Sequence, residues 1–197
     1  MVPALANLQP QAVWTHFDRL AAIPRASTKE AAAREYVGSL ATKLGLELIQ
    51  DDVGKLVVRK PARQGRNGAP MALLQGHLDM VCEKNEGTVH DFDVDPINVV
   101  RDGDWLKADG TTLCSDNGVG VSAALAVMES NGISHGRLEF LFTIDEESGL
   151  TGASAFPGGL MMSNYFLNLD NEKKGTLCIV VQVTSRLLLD VRSGWSR

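Results

Sequence analysis

The chain has 197 residues, of which 44% are hydrophobic and 22% charged, so it can bury one good-sized core or two small ones. Its net charge of −5 and its lack of a basic stripe argue against nucleic acid as a partner. No apolar run is long enough for a membrane span, and the first residues lack a signal-peptide pattern. Three cysteines without CxxC spacing indicate neither a disulfide framework nor a structural zinc knuckle. We therefore expect a cytoplasmic protein with no membrane partner.

Two helices and a hairpin are predicted in the first third of the chain. Apolar residues recur at helical spacing from Pro10 to about Ala22, and a second helix, capped by Ser27 or Thr28, runs to about Leu44. The runs "LELIQ" and "KLVVRK" then predict two short strands joined by turn residues. After a polar loop, the apolar run "MALLQ" predicts a buried strand that ends at a glycine.

Helices and strands alternate in the rest of the chain. Residues 82–112 are rich in acidic and turn residues and show little strand pattern. The segment Asn117–Ser130 predicts a helix of small residues, capped by its first residue or by the aspartate before it. Strands are predicted over Arg137–Ile144 and Asn164–Asp170, with a short helix in "GLTGASAF" between them. This alternation predicts an α/β fold, a three-layer sandwich with a mostly parallel sheet.

Residue types that bind metal ions follow each of the three predicted buried strands. They are His77 and Asp79 after the first, Asp145, Glu146 and Glu147 after the second, and Asp170 after the third. Asp116 stands where a loop enters the helix of small residues. Because the carboxyl ends of parallel strands meet at one edge of a sheet, we expect these side chains to share one site.

The spacing of His77 and Asp79 suits a metal ligand and the residue that orients it. Side chains two residues apart point the same way on an extended backbone, so Asp79 can accept a hydrogen bond from the ring nitrogen that does not bind a metal. Glu146 and Glu147 would diverge on an extended backbone, so that one binds a metal and the other addresses water or substrate. One histidine with several carboxylates suits zinc, manganese or cobalt, and two such ions need a bridging carboxylate, for which Asp116 is a candidate.

Taken singly, each of these residues also has an ordinary structural interpretation. A histidine after a strand is usually structural, and Asp116 alone would be a helix cap. Glu146 and Glu147 could be a solvated strand end, and Asp170 a turn residue. The joint pattern favours a metal site, because three strand ends and a helix start together supply a full set of ligands.

Two competing motifs fail on their details. "GVGVSA" matches a dinucleotide-binding fingerprint, but no apolar strand precedes it and Asp116 would repel a pyrophosphate. "DFDVDPINVVRD" begins like a calcium loop but has Pro96 and Asp102 where a glycine and a glutamate are required. The histidines outside the predicted site are expected on the surface or in loops: His16, His90 and His135.

Four motifs resemble those of the co-catalytic zinc aminopeptidase-like metallopeptidases, in particular their dipeptidases. They are "GHLDMV", "DGTTLCSDNGVGVSAALAVME", "TIDEESGLTGA" and "LNLDNE". The resemblance extends to "IPRAS" and "KNEGTVHDFDVDPI" and covers the chain to about Cys178. It implies hydrolysis of dipeptides of the Xaa-His type with two zinc ions, or with manganese or cobalt in their place.

The resemblance also implies a role for each site residue. His77 and Asp170 would bind one zinc ion, Glu147 would bind the other, and Asp116 would bridge both. The two remaining residues would be catalytic, with Asp79 orienting the imidazole and Glu146 acting as general base towards water activated by the two zinc ions.

The chain departs from the family pattern after Cys178. Family members are longer: a lid-like domain interrupts the catalytic domain, and the returning segment supplies a last zinc-binding histidine, whereas no histidine follows His135 here. We interpret residues 1–178 as the N-terminal part of the catalytic domain and residues 179–197 as an aberrant tail of a truncated or frame-shifted product. We expect weak binding at the second metal site and hydrolysis well below that of a complete relative. The resemblance implies a homodimer for complete relatives, often through the lid domain, and so gives it little support here.

Two alternatives stay open at this point. One is a catalytically inactive chain that binds metal or a partner chain, which the missing histidine and the unusual tail support. The other is a related zinc deacylase or tripeptidase, which would use the same ligands. The motif "SDNGVG" favours the dipeptidase over this second alternative.

Overall fold

The computed structural model describes residues 2–149, 160–171, 177–181 and 187–191. The helices are a short 3-10 helix at Pro3–Leu5, α1 (Gln11–Ala21), α2 (Ala31–Lys43), α3 (Ser115–Glu129) and α4 (Glu146–Gly149). The strands are β1 (Glu47–Gln50), β2 (Leu56–Lys60), β3 (Ala72–His77), β4 (Val99–Asp102), β5 (Trp105–Ala108), β6 (Leu138–Thr143), β7 (Tyr165–Asn168), β8 (Leu177–Val181) and β9 (Leu187–Val191).

Five strands form the main sheet in the order β1-β2-β6-β3-β7. β3 runs parallel to β6 and to β7, whereas β2 runs antiparallel to β1 and to β6. The predicted α/β class is confirmed. The sheet is mixed, with equal numbers of parallel and antiparallel pairings, because the β1–β2 hairpin extends one side of the three parallel strands.

The turn of the β1–β2 hairpin is built on an aspartate, as its sequence predicts. Oδ1 of Asp51 accepts hydrogen bonds from the backbone N–H groups of Gly54 (2.9 Å) and Lys55 (2.8 Å). Gly54 has a φ of 103°, which a residue with a side chain rarely adopts. The turn fixes the register of β2, which in turn pairs with β6.

The core lies mainly between the sheet and α1, α2 and α3. Residues of β2 and β6 alternate between the two faces of the sheet, as strand geometry requires. The face covered by the helices contributes Leu56, Val58, Leu138, Phe140 and Phe142, which pack on Leu20, Val37, Val121 and Leu125. The opposite face carries a smaller buried cluster of Val57, Leu73 and Leu141. The helices therefore cover one face of the sheet.

A second cluster joins the first residues of the chain to the segment that follows β3. It contains Leu5, Phe17, Met80, Ile97 and Val99. The β4–β5 hairpin starts in this cluster and pairs from Val99↔Ala108 to Asp102↔Trp105. The prediction of little strand structure in residues 82–112 is wrong at this hairpin. Its two strands have four residues each and are mostly exposed, so they carry almost no hydrophobic alternation.

The three longer predicted helices are present as α1, α2 and α3, but the starts of α2 and α3 differ from the prediction. α2 begins at Ala31, after a Glu30 that makes no side-chain cap, rather than near a capping Ser27 or Thr28. Ser27 instead directs its hydroxyl to Asp79, more than fifty residues later. The short helix predicted in "GLTGASAF" lies outside the described residues except for its first glycine.

The described end of the chain contains a third pair of antiparallel strands that are consecutive in the sequence. β8 and β9 pair antiparallel, from Leu177↔Val191 to Val181↔Leu187. The predicted boundary between residues 178 and 179 falls inside β8, and much of the predicted tail lies outside the described residues. The boundary therefore stays a prediction. In the described part of the chain, every helix is too short or too polar to span a membrane.

Candidate metal centre

Three parallel strands end at one edge of the sheet and bring the predicted site residues together. β3 ends at His77, β6 ends two residues before Asp145, and β7 ends two residues before Asp170. Because β3 lies between β6 and β7 and is parallel to both, the carboxyl ends of the three strands are neighbours. The N-terminal end of α3 brings Asp116 to the same place, where it contacts His77.

His77 lies at the centre of the site, with only 1% of its side chain exposed. Its Nδ1 donates to Oδ1 of Asp79 (3.2 Å), and its Nε2 donates to Oδ1 of Asp116 (3.0 Å). The same Nε2 is 3.7 Å from Oδ2 of Asp170. Burial alone would lower the pKa of His77, but the hydrogen bonds to Asp79 and Asp116 outweigh it and raise the pKa to about 9. The imidazole is therefore surrounded by groups that favour a positive charge.

Asp79 is fully buried and accepts four hydrogen bonds, which hold it in one orientation. Besides His77, the donors are Oγ of Ser27 (2.7 Å) and the backbone N–H groups of Glu146 (3.0 Å) and Glu147 (3.0 Å). Burial would raise the pKa of Asp79, but these hydrogen bonds, that of His77 first, hold it well below its usual range. Asp79 therefore stays ionised, and it links the end of β3 to the start of α4.

The described side chains form two groups that could each hold a metal ion. The first is His77, Asp116 and Asp170, and the second is His77, Glu146 and Glu147. Within each group the potential ligand atoms lie within 4.8 Å of one another. The expectation that Glu146 and Glu147 diverge on an extended backbone is wrong: they begin α4, and both carboxylates lie close to the same imidazole.

Negative charge accumulates around the shared imidazole. The pKa of Glu147 is raised by burial and then by the carboxylates of Asp116 and Glu146, although the charge of His77 opposes this. The pKa of Asp170 is raised by burial and then by Asp116. Carboxylates that repel one another in this way gain stability when a cation enters between them.

Asp116 and Asn117 do not cap α3, contrary to the prediction. The backbone of Asp116 is extended (φ −88°, ψ 119°), the residue at the cap position is Cys114, and that residue makes no side-chain cap bond. Asp116 instead reaches His77, while Nδ2 of Asn117 donates to the carbonyl of Leu169 (3.0 Å). The irregular start of α3 therefore contacts the end of β3 through Asp116 and the segment after β7 through Asn117.

The loop between α1 and α2 belongs to the site, which the sequence analysis missed. Ser27 holds Asp79, as described above. Oε1 of Glu30, a residue only 2% exposed, accepts from the backbone N–H groups of Thr28 (2.9 Å) and Asp145 (2.9 Å). The available signal was the motif "IPRAS", which ends at Ser27, but Ser27 alone suggested a helix cap.

The other histidines lie outside both ligand groups. His16 is 3% exposed, so its predicted surface or loop position is wrong. It lies between helices, where it accepts a hydrogen bond from the hydroxyl of Tyr36 (2.6 Å) and approaches Glu129 (3.4 Å). His90 contacts the ring of Phe92, and His135 bonds to a neighbouring carbonyl.

Comparison with solved structures and curated proteins agrees with this geometry. The chain is 40% identical over 190 residues to the cytosol non-specific dipeptidase of Escherichia coli strain K12, covering 94% of this chain and 39% of that protein. It is 42% identical, with a TM-score of 0.85, to the crystal structure of aminoacylhistidine dipeptidase from Vibrio alginolyticus, covering 87% of this chain and 35% of that one. The crystal structure of aminopeptidase PepT from Bacillus cereus matches with 25% identity and a TM-score of 0.71, covering 86% of this chain and 46% of that one.

The chain thus spans less than half the length of each of these relatives, while almost all of it takes part in the match. The predicted resemblance to aminopeptidase-like dipeptidases is confirmed by the two dipeptidase matches. The family model for peptidase family M20/M25/M40 matches residues 73–184, which include all six predicted site residues and more than half of the chain. These findings establish that the chain belongs to peptidase family M20/M25/M40.

Proposed function

We propose that this chain binds two divalent cations, zinc in the first place, and that the site so formed hydrolyses dipeptides of the Xaa-His type. The observation that carries the proposal is the collection of four carboxylates near the imidazole of His77, in two overlapping groups of possible ligands. The dipeptide substrate is suggested by the names of the two most similar relatives described above. The word "cytosol" in one of those names supports the proposed cytoplasmic location.

The residues present fit such ions. One imidazole and four carboxylates, with no thiolate among them, form a donor set that suits zinc, manganese or cobalt. The raised pKa values of Glu147 and Asp170 reflect repulsion and burial that a cation would relieve. In the proposed arrangement His77 and Asp170 would hold one ion, Glu147 would hold the other, and Asp116 would be a ligand of both.

Asp79 and Glu146 are proposed as the residues that act on the imidazole and on the water. Asp79 fixes the ring of His77 through Nδ1, which leaves Nε2 facing the remaining carboxylates. Glu146 accepts the proton of the attacking water at its carboxylate and returns it to the leaving amine. When bound, two divalent cations would lower the pKa of water from 15.7 towards about 7 and would polarise the scissile carbonyl.

Metal binding without hydrolysis is a second candidate. It is favoured by the exposure of Asp116, whose side chain is 53% accessible although it contacts the buried imidazole. Peptide hydrolysis at a metal site benefits from exclusion of bulk water, which an exposed ligand does not provide. The same exposure supports the expectation that hydrolysis by this chain is well below that of its longer relatives.

The first test is titration of the chelator-stripped chain with zinc, followed by manganese and cobalt. We expect at least one tightly bound ion in the native chain and a loss of binding of tenfold or more in His77→Ala and Asp116→Ala. His90→Ala is the matched control, because it removes an imidazole outside both ligand groups. Equal binding by His77→Ala and the native chain would contradict the proposed centre.

The second part of the test separates hydrolysis from binding. Zinc-loaded protein is assayed with Xaa-His dipeptides, tripeptides and N-acylated amino acids, using the native chain, Glu146→Gln and, as a control, the exposed Glu86→Gln. We expect hydrolysis of dipeptides that Glu146→Gln lacks while it still binds zinc. Zinc binding without hydrolysis in the native chain would favour the second candidate, and preference for tripeptides or acylated amino acids would assign the related chemistry.

A further inference from the structure

We propose that Arg25 is a positioning residue that sets the separation of His77 and Asp116, and through it the affinity of the centre for its first metal ion. The inference rests on the proposed function, since it concerns the same ligands. Arg25 lies in the loop between α1 and α2 and is 1% exposed. It was not among the site residues that the sequence pattern indicated.

The guanidinium of Arg25 joins the two segments that carry His77 and Asp116. Nη1 donates to the carbonyl of Leu78 (2.7 Å) and to that of Asp79 (2.8 Å). Nη2 donates to the carbonyl of Cys114 (2.9 Å), two residues before Asp116. Because the guanidinium is planar and rigid, these three bonds fix one backbone segment relative to the other. A lysine, with a single ammonium group on a flexible stem, cannot reproduce the fork.

The direct contact between His77 and Asp116 cannot set the separation of these two ligands when a metal is bound. Both atoms of that contact, Nε2 and Oδ1, are the atoms that would face the ion. The distance between the two ligands must then be set by their backbones. Farther from the site, Thr112 also joins these segments, since its hydroxyl donates to the carbonyl of Val81 (2.6 Å). The segments can therefore stay associated without Arg25, while the spacing beside the ligands changes.

A glycine of α3 provides the space for the guanidinium. A Cβ at Gly118 would lie 2.8 Å from Nη2 of Arg25 and 3.4 Å from the ring of Phe17. Gly118→Ala would therefore displace the guanidinium without removing its charge. This gives a second variant that tests the same contact from the opposite side.

The matched control is Lys60, a second buried cation that binds three carbonyl groups away from the site. Its Nζ donates to the carbonyls of Val127 (2.9 Å), Met128 (2.9 Å) and Ser130 (2.6 Å) at the other end of α3. Lys60→Met removes a comparable set of hydrogen bonds. A general loss of stability would affect Lys60→Met and Arg25→Lys alike, whereas a positioning effect belongs to Arg25 alone.

The experiment measures zinc affinity by competition with a chelator and the visible absorption spectrum of the cobalt-substituted chain. We expect Arg25→Lys to bind zinc 10- to 100-fold more weakly than the native chain and to show an altered cobalt spectrum. Gly118→Ala should also bind zinc more weakly than the native chain and show an altered cobalt spectrum. Lys60→Met should unfold at a lower temperature but keep native zinc affinity and the native cobalt spectrum.

Native affinity and a native spectrum in Arg25→Lys, with zinc bound by the native chain, would overturn the inference and leave the proposed function standing. Absence of zinc binding in the native chain would overturn both. If circular dichroism shows that Arg25→Lys does not fold, the same two readings on Gly118→Ala decide. Equal weakening in Lys60→Met and Arg25→Lys would show a general effect of stability and also overturn the inference.

Discussion

Asp79 and Asp116 contact opposite nitrogens of one imidazole ring but lie in very different surroundings. Asp79 is fully buried and accepts hydrogen bonds from three residues besides His77. Asp116 is 53% exposed and has a free approach from solvent. A carboxylate whose hydrogen bonds are all made within the protein orients a ring, whereas an accessible one can exchange its partner for an ion. The environments of the two aspartates therefore support the different roles proposed for them.

His16 predicts a pH dependence of stability away from the site. Burial lowers its pKa below 6.5, although Glu129 opposes this. Between 6.5 and the lower folded pKa the unfolded chain binds more protons than the folded chain, so protonation favours unfolding. The contribution of His16 is thus complete above pH 6.5 and is lost as the pH falls. We expect the free energy of unfolding of the native chain, measured with a chelator present, to fall more steeply from pH 8 to pH 5.5 than that of His16→Gln.

His90→Gln serves as the control for this experiment. It removes an imidazole that contacts Phe92 in a loop rather than one packed between helices. A slope in His16→Gln as steep as that of the native chain would contradict the assignment to His16.

The site residues that follow predicted strands could be found from the sequence because they share one expected location. His77, Asp79 and Asp170 follow strands, and strand ends of a parallel sheet have a known common location. Arg25 and Glu30 lie in a polar loop, where charged residues are usually solvated. Their burial depends on contacts with segments fifty or more residues away, which no local pattern encodes.

At the scale of elements, a buried carboxylate holds the segment before β7 against β6. Glu139 of β6 accepts hydrogen bonds from Nε of Arg59 (3.0 Å), the backbone N–H of Met162 (2.9 Å) and the hydroxyl of Ser163 (2.6 Å). It has no exposed side-chain surface. Because β7 leads directly to Asp170, this network also fixes the direction from which that residue enters the site.

We expect Glu139→Gln to lower the free energy of unfolding by about 1.5–3 kcal/mol, since it removes the buried charge that accepts the hydrogen bonds of Arg59, Met162 and Ser163. Glu47→Gln is the matched control, because Glu47 binds the same Arg59 (2.8 Å) but is 56% exposed. Its loss should cost less than about 1 kcal/mol. Urea denaturation of both variants measures the difference, and equal losses would contradict a special role for the buried pair.

The helices and strands with a regular spacing of apolar residues were predicted best. α1, the β1–β2 hairpin, β3 and β6 have apolar residues at clear periods and appear where the sequence places them. The β4–β5 hairpin was missed because its residues alternate weakly. The antiparallel pairing of β2 with β6 was missed for another reason: strand patterns show which residues are buried but not which strands become neighbours.

At the scale of the whole molecule, metal binding and stability should be linked. An ion that binds the folded chain and not the unfolded one stabilises it by about 2.7 kcal/mol at a free concentration of 100 times its dissociation constant. We expect zinc to raise the melting temperature of the native chain and a chelator to reverse the rise. In His77→Ala the shift should be much smaller, because the variant lacks the imidazole ligand of the ion that His77 and Asp170 would hold. An undiminished shift in that variant would place the stabilising ion elsewhere.

The position of β3 in the sheet also affects how the chain folds as it is made. β3 lies between β6 and β7, both of which follow it in the chain after α3. At a rate of synthesis of about 5–20 residues per second, β3 is made several seconds before either neighbouring strand. During that time its apolar edges are open to other chains or to chaperones. Asp170 is the last proposed ligand to be synthesised, so a nascent chain has an incomplete centre, and the cations must be loaded after most of the sheet has closed.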